Sequence, residues 1–152
     1  MNRLQEIGAE LVKELEVSLP IWVERSTREI YQAWKGEWPL EIADQARLAG
    51  ERCVVEILPV LRELLESDIA SQQTNPMSIL RRASQYPTGL LQLYEVPPVQ
   101  RDDYLETAFP EDIYGLIPTA FSDFGRDCHE LGIAWGAAKA HIHLTARREI
   151  DT

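Results

Sequence analysis

A chain of 152 residues, 45% hydrophobic and 26% charged, has the size of one globular domain and can bury roughly 68–70% of its unfolded surface. Twenty-five acids against 15 bases give a net charge of −10, which argues against a general nucleic-acid binder. No window approaches the ~18 uninterrupted apolar residues of a membrane span, and two cysteines can neither staple a fold nor build a zinc site alone.

The first residues, MNRLQEIGAELVKELEV, are charged and amphipathic and lack an apolar signal core, so a cytoplasmic protein is expected. Leu4, Ile7, Leu11, Leu15, Leu19, Trp22, Val23, Ser26 and Ile30 recur at steps of three and four, the period of a helix. Pro20 interrupts the pattern. It removes one ladder hydrogen bond at a cost of ~3 kcal/mol, so the helix is expected to bend near Leu19 or restart at Pro20. Gly36 and Pro39 end the segment.

Leu40 to Ile69 reads as a second long helix, with Ile42, Ala46, Ala49, Cys53, Ile57, Leu61, Leu64 and Leu65 on one stripe and Pro59 inside it. The short connection from Gly36 to Leu40 predicts antiparallel pairing of the two helices. From Ser71 the texture changes. Prolines at 76, 87, 97, 98, 110 and 118 cut the chain into short pieces. Asn75-Pro76 is a helix start. Met77 to Ser84 and Pro87 to Tyr94 predict short helices, Val96 to Val99 an extended stretch, and Asp102 to Ala108 and Pro118 to Phe124 single turns or short helices. No stretch alternates as a strand.

The last segment, Leu131 to Glu149, is apolar nearly all round, through Ile133, Ala134, Trp135, Ala137, Ala138, Ala140, Ile142 and Leu144. Such a helix is expected to be central and covered by others. Gly132, Gly136 and Ala140, four apart, form a small-residue row suited to close helix packing. The expected fold is therefore all-α and a single domain over 1–152. It has a long hairpin of two proline-kinked antiparallel helices over 1–70, short helices and turns over 71–131, and a buried C-terminal helix over 132–150.

Familiar chemistry is scarce. There is no Glu-x-x-His, His-x-x-x-His or Cys-x-x-Cys for a metal. His141 and His143 are two apart and diverge on a helix. Asp123, Asp127, His129 and Glu130 could meet around one turn as a mixed metal site, although capping and solvation explain them more simply. Cys128 and His129 are adjacent, so their side chains diverge, and Cys53 belongs to the apolar stripe. No nucleophile elbow or phosphate-binding loop is present. The odd polar stripe is Trp135, Lys139 and His143, one turn apart, for which the acidic segment 102–112 could supply partners. With Arg101 and His141 these residues are the candidates for a pocket or a partner contact. Trp22, Trp34 and Trp38 gather near the end of the first helix, as core or as an interface anchor.

Much of the chain after residue 18 also has a familiar texture. The runs LPIWVERS (19–26), NPMSILRR (75–82), YPTGLL (86–91), VPPVQRDDY (96–104), FPEDIYGLIPTAFSDF (109–124) and WGAAKAHIHL (135–144) resemble a family of small, all-helical actinobacterial proteins with no assigned activity. The resemblance implies an actinobacterial, cytosolic origin and assigns no site residue.

The missing catalytic motifs lean against an enzyme. Together with the acidic composition and the tryptophans they point to a protein–protein interaction or regulatory module, with a protein partner or a homodimer, no cofactor, and neither nucleic acid nor membrane. The alternative is a small-molecule binder or enzyme with a pocket between residues 101–130 and the C-terminal helix, and the third reading is a metal-dependent protein.

Overall fold

A computed structural model describes residues 3–66, 76–98, 112–125 and 128–137. These residues form helices and turns, with no strand among them. Helix α1 runs from Arg3 to Lys35 and α2 from Leu40 to Glu66. α3 (Pro76–Leu80) tightens into a 3₁₀ turn (Arg81–Ser84) and passes directly into α4 (Gln85–Leu93). A further 3₁₀ turn covers Phe121–Phe124, and residues 129–137 are helical. None of the described helices is long and apolar enough to cross a membrane.

α1 does not restart at Pro20; one helix spans it, as α2 spans Pro59. Gly36 stops α1 in the left-handed region (φ 71°), with its N–H bonded to the Gln32 carbonyl at 2.7 Å. Only glycine reaches that conformation without strain. Three residues later Pro39 accepts the first bond of α2, from Ala43 N–H at 3.0 Å.

The two long helices then meet through glycine. A Cβ on Gly8 would lie 2.4 Å from the Leu65 carbonyl oxygen, and one on Gly50 would lie 2.9 Å from the Pro20 carbonyl oxygen. The start of α1 thus lies against the end of α2, and middle against middle. Ile7, Leu11, Leu15, Leu19, Trp22 and Val23 from α1 pack on Cys53, Ile57, Leu61 and Leu65 from α2, with Met77, Ile79 and Leu80 closing one end. A second cluster at the hairpin end holds Tyr31, Ile42, Ala46, Leu90, Leu91, Val96 and Tyr114. Backbone approach of this kind brings apolar side chains into contact along the whole length of the pair, which is where most helical stability in proteins arises.

α4 ends in a Schellman arrangement. Val96 N–H reaches the Leu91 carbonyl and Glu95 N–H the Gln92 carbonyl, both at 3.0 Å, with Glu95 at φ 59°. Leu91 and Val96 are both buried there. The Tyr114 hydroxyl donates to the Val96 carbonyl at 2.6 Å and anchors the next described segment. Within it, the Asp112 carboxylate accepts from Leu116 N–H (2.6 Å) and Ile117 N–H (2.9 Å). These local bonds satisfy backbone that has no helix or sheet to join.

Of the expected buried C-terminal helix over 132–150, residues 132–137 are described and helical, and the rest lies outside the described residues. Cys128, Gly132 and Trp135 face inward, but Ile133 is 59% exposed and Ala134, Gly136 and Ala137 are exposed too. Alanine and glycine make a sequence look apolar without the side-chain volume that demands burial. The small-residue row is also split. A Cβ on Gly132 would lie 2.4 Å from the Phe121 Cβ, whereas nothing lies within 4 Å of one on Gly136; Ala140 is outside the described residues.

These contacts fix the sign of two substitutions. In an open helix Gly→Ala stabilises by ~0.5–1 kcal/mol. Gly8→Ala and Gly50→Ala are expected to destabilise instead, each by about 2–3 kcal/mol, because the added methyl meets backbone that cannot yield. Urea unfolding monitored by circular dichroism measures both.

Candidate functional site

On the side of α2 away from the buried core, α2 and α4 diverge and leave a groove of about 500 Å³. Gln45, Leu48, Ala49, Arg52 and Glu56 line it from α2, at the three- and four-residue steps of one helix face. Gln85, Tyr86, Gly89, Leu90 and Leu93 line it from α4. The sequence builds this shape because Leu90 and Leu91 anchor α4 on the hairpin-end core while Gly89 leaves a gap in the wall. Nothing lies within 4 Å of where a Gly89 side chain would start. Leu93, at 73% exposed, and Leu48, at 41%, present bare apolar surface.

Two polar groups of the groove are tied together. The Tyr86 hydroxyl donates to Glu56 Oε2 and ties the two helices together. Burial, reinforced by the Glu56 charge, pushes the Tyr86 hydroxyl well above its ordinary range, so it stays a donor at any physiological pH. Near the N-terminal end of α2 the Tyr94 hydroxyl donates to Glu41 Oε1 at 3.4 Å. Burial also pushes the Cys53 thiol from 9.0 up to about 12, again with help from Glu56. A thiol so protonated and fully buried is a poor nucleophile.

A second cleft, about 210 Å³, lies between α1 (Trp22, Arg25, Ser26, Glu29) and residues 115–118 with Asp123. It is smaller than the ~300–1,000 Å³ of typical ligand pockets. It is bounded by α1; the pocket expected between residues 101–130 and the C-terminal helix falls largely outside the described residues. Asp123 acts locally, accepting from Thr119 N–H (2.6 Å), Ala120 N–H (2.7 Å) and the Thr119 hydroxyl (3.3 Å). Among the described residues no group of three or more His, Cys, Asp or Glu is placed to hold a metal ion.

Most of the pocket residues singled out from sequence cannot be placed among the described ones. Arg101, Lys139, His141 and His143 lie outside the described residues, as does Asp127. Trp135 is buried against Phe121, ring centroids 6.3 Å apart, and is a packing residue. Trp22 is the core residue that its place on the apolar stripe implies, and it is separated from the other two tryptophans. It is 5% exposed in the main core, its ring 5.2 Å from Phe124, because it continues the Leu15–Leu19 stripe. Trp34 and Trp38 do converge, on Tyr31, at 5.7 and 5.9 Å between centroids, with Tyr94 at 6.5 Å on the same ring. Lys35 sits 4.3 Å over the Trp34 ring. The groove itself escaped the sequence reading. Its signal was there: Leu48 and Leu93 fall off the apolar stripes of their helices, a departure from amphipathic pattern that marks surface use.

No protein-family model, curated protein or solved structure matches the chain.

The shifted thiol makes a pH prediction. The native state holds the Cys53 proton up to about pH 12, while an unfolded thiol releases it near 9.0. The stabilising contribution of this group is full below pH 9 and declines as pH rises towards 12. Thermal unfolding should therefore fall between pH 9 and 12, more shallowly in Cys53→Ala, and a thiol reagent at pH 8 should label Cys53 only after denaturant is added.

Proposed function

We propose that this chain is a protein–protein interaction or regulatory module that receives a polypeptide on the α2–α4 face. It is read as a cytoplasmic, actinobacterial protein and not as an enzyme. The observation that carries the reading is the open groove, whose apolar margin at Leu48 and Leu93 is bare and whose Tyr86 and Glu56 are engaged with each other. A site that encloses a small molecule buries ~70–90% of its surface. A groove open along its length suits an extended or helical segment, whose apolar side chains sit on a floor such as Ala49, Gly89 and Leu90 and whose polar edge meets a rim such as Gln45, Arg52 and Gln85. Against the small-molecule alternative stand the size of the second cleft and the inertness of Cys53 and Tyr86.

Gly89 offers a test that leaves the fold alone. Gly89→Ala should raise stability by ~0.5–1 kcal/mol, since the position is helical and open. Gly89→Phe should keep the parent melting temperature and fill the groove. A photo-crosslinking residue placed at Leu93 in living cells is expected to form a covalent adduct with a polypeptide, and Gly89→Phe to abolish that adduct. Native mass spectrometry showing a retained small molecule, with no polypeptide adduct from Leu93, would contradict the proposal.

A further inference from the structure

The cleft between α1 and residues 115–118 contains a hydroxyl that the fold leaves unused. Four Ser and Thr side chains are buried among the described residues: Ser18, Ser26, Thr27 and Ser84. Ser18 bonds the Cys128 sulfur at 3.1 Å, Thr27 donates back to the Val23 carbonyl at 2.8 Å, and Ser84 donates to the Arg81 carbonyl at 2.9 Å. Ser26, only 7% exposed, makes no hydrogen bond among the described residues, not even to the Trp22 carbonyl one turn back. It lines the cleft. Buried hydroxyls are ordinarily bonded, and one without a partner calls for an explanation.

The charged groups around Ser26 are uncommitted too. Trp22, Arg25, Ser26 and Glu29 share one face of α1. Arg25 and Glu29 stand one turn apart, yet neither forms an ion pair among the described residues. Across the cleft, Asp123 Oδ2 accepts all three of the bonds this carboxylate makes there, which leaves Oδ1 open. The Leu116 and Ile117 amides are held by Asp112 and do not serve an occupant. Arg25 and Ser26 are donors suited to a carboxylate, while Glu29 and Asp123 Oδ1 accept from an ammonium. A lone anion would meet two carboxylates, and a lone cation a half-buried guanidinium. Size narrows the choice further. At ~30 Å³ for each water-sized unit of a liquid, 210 Å³ holds about seven such units, the bulk of alanine or serine and far less than a nucleotide.

We propose that this cleft binds a free α-amino acid with a small side chain, its carboxylate on Arg25 and Ser26 and its ammonium on Glu29 and Asp123. Trp22 closes the floor, 5% exposed and packed against Phe124. The cleft is smaller than a typical ligand pocket because its ligand is smaller. It shares no lining residue with the α2–α4 groove, so its occupancy is independent of what the groove receives.

Titration of the full chain with alanine or serine, followed residue by residue in amide nuclear magnetic resonance spectra, should give saturable shifts at Ser26, Gly115 and Leu116 and at the Trp22 indole. Lactate lacks the ammonium and alaninamide the carboxylate, and each should bind at least ~10-fold more weakly. Ser26→Ala should weaken alanine binding by about 10-fold, the worth of one hydrogen bond to a charged group. It should not lower the unfolding midpoint, because the hydroxyl it removes makes no bond within the described fold. Arg25→Gln should weaken binding at least as much, again with the midpoint kept. Gly89→Phe, which fills the groove, should bind alanine as the parent does. The absence of any saturable shift from either amino acid would overturn the proposal, as would lactate or alaninamide binding as tightly as alanine. So would an unchanged affinity in Ser26→Ala or Arg25→Gln, or shifts centred on the α2–α4 groove and lost in Gly89→Phe.

Discussion

The close approach of α1 and α2 governs everything else in the molecule. Two helices that touch backbone to backbone at Gly8–Leu65 and Gly50–Pro20 have little freedom to rotate about their axes. The rotation decides which stripe of α2 is buried. With Cys53, Ile57, Leu61 and Leu65 turned inward, Leu48, Arg52, Val55 and Glu56 must point out. The proline that weakens the ladder of α1 is at the contact point. Its cost of ~3 kcal/mol in a regular helix has to be offset by the packing it allows against Gly50.

α4 converts that outward face into a shaped one. It is short, and it is held at its end by the Leu91–Val96 turn and by the Tyr114 hydroxyl. Its other contacts to α2 are side chain to side chain, chiefly Tyr86 to Glu56. The result is a gap rather than a seam between the helices, with Gly89 opposite the outward residues of α2. The hydroxyls on this surface hold carboxylates in place instead of activating anything. Cys53 behind it is buried and protonated.

How much of this could be read from the sequence depended on what each residue type reports. The long helices were legible because Leu and Ile at steps of three and four have volume that must be buried, and Gly36 with Pro39 can only end a helix. The short α3 and α4 were legible from Pro76 and Pro87, although Met77–Ser84 and Pro87–Tyr94 were expected as separate helices and the chain joins them through the Arg81–Ser84 turn. In the described part of the C-terminal stretch, Ala and Gly count as apolar without filling space, and Ile133, Ala134 and Ala137 lie at the surface. Trp22 was legible from the stripe it continues: its helical register sends it to the core beside Phe124, away from Trp34 and Trp38. The groove was only half legible: Leu48 and Leu93, off the apolar stripes, mark surface use, but that they share one groove with Gly89 depends on two helices placing them side by side.

The account stands on the division of α2 into an inner stripe and an outer strip. Residue-level footprinting of the native protein with a photogenerated carbene measures both at once. Ala46, Cys53, Ile57 and Leu61 should be protected, and Leu48 and Val55 should be labelled. Uniform labelling around α2, or an inner stripe that reacts while Leu48 and Val55 do not, would show that the helix is not turned as described.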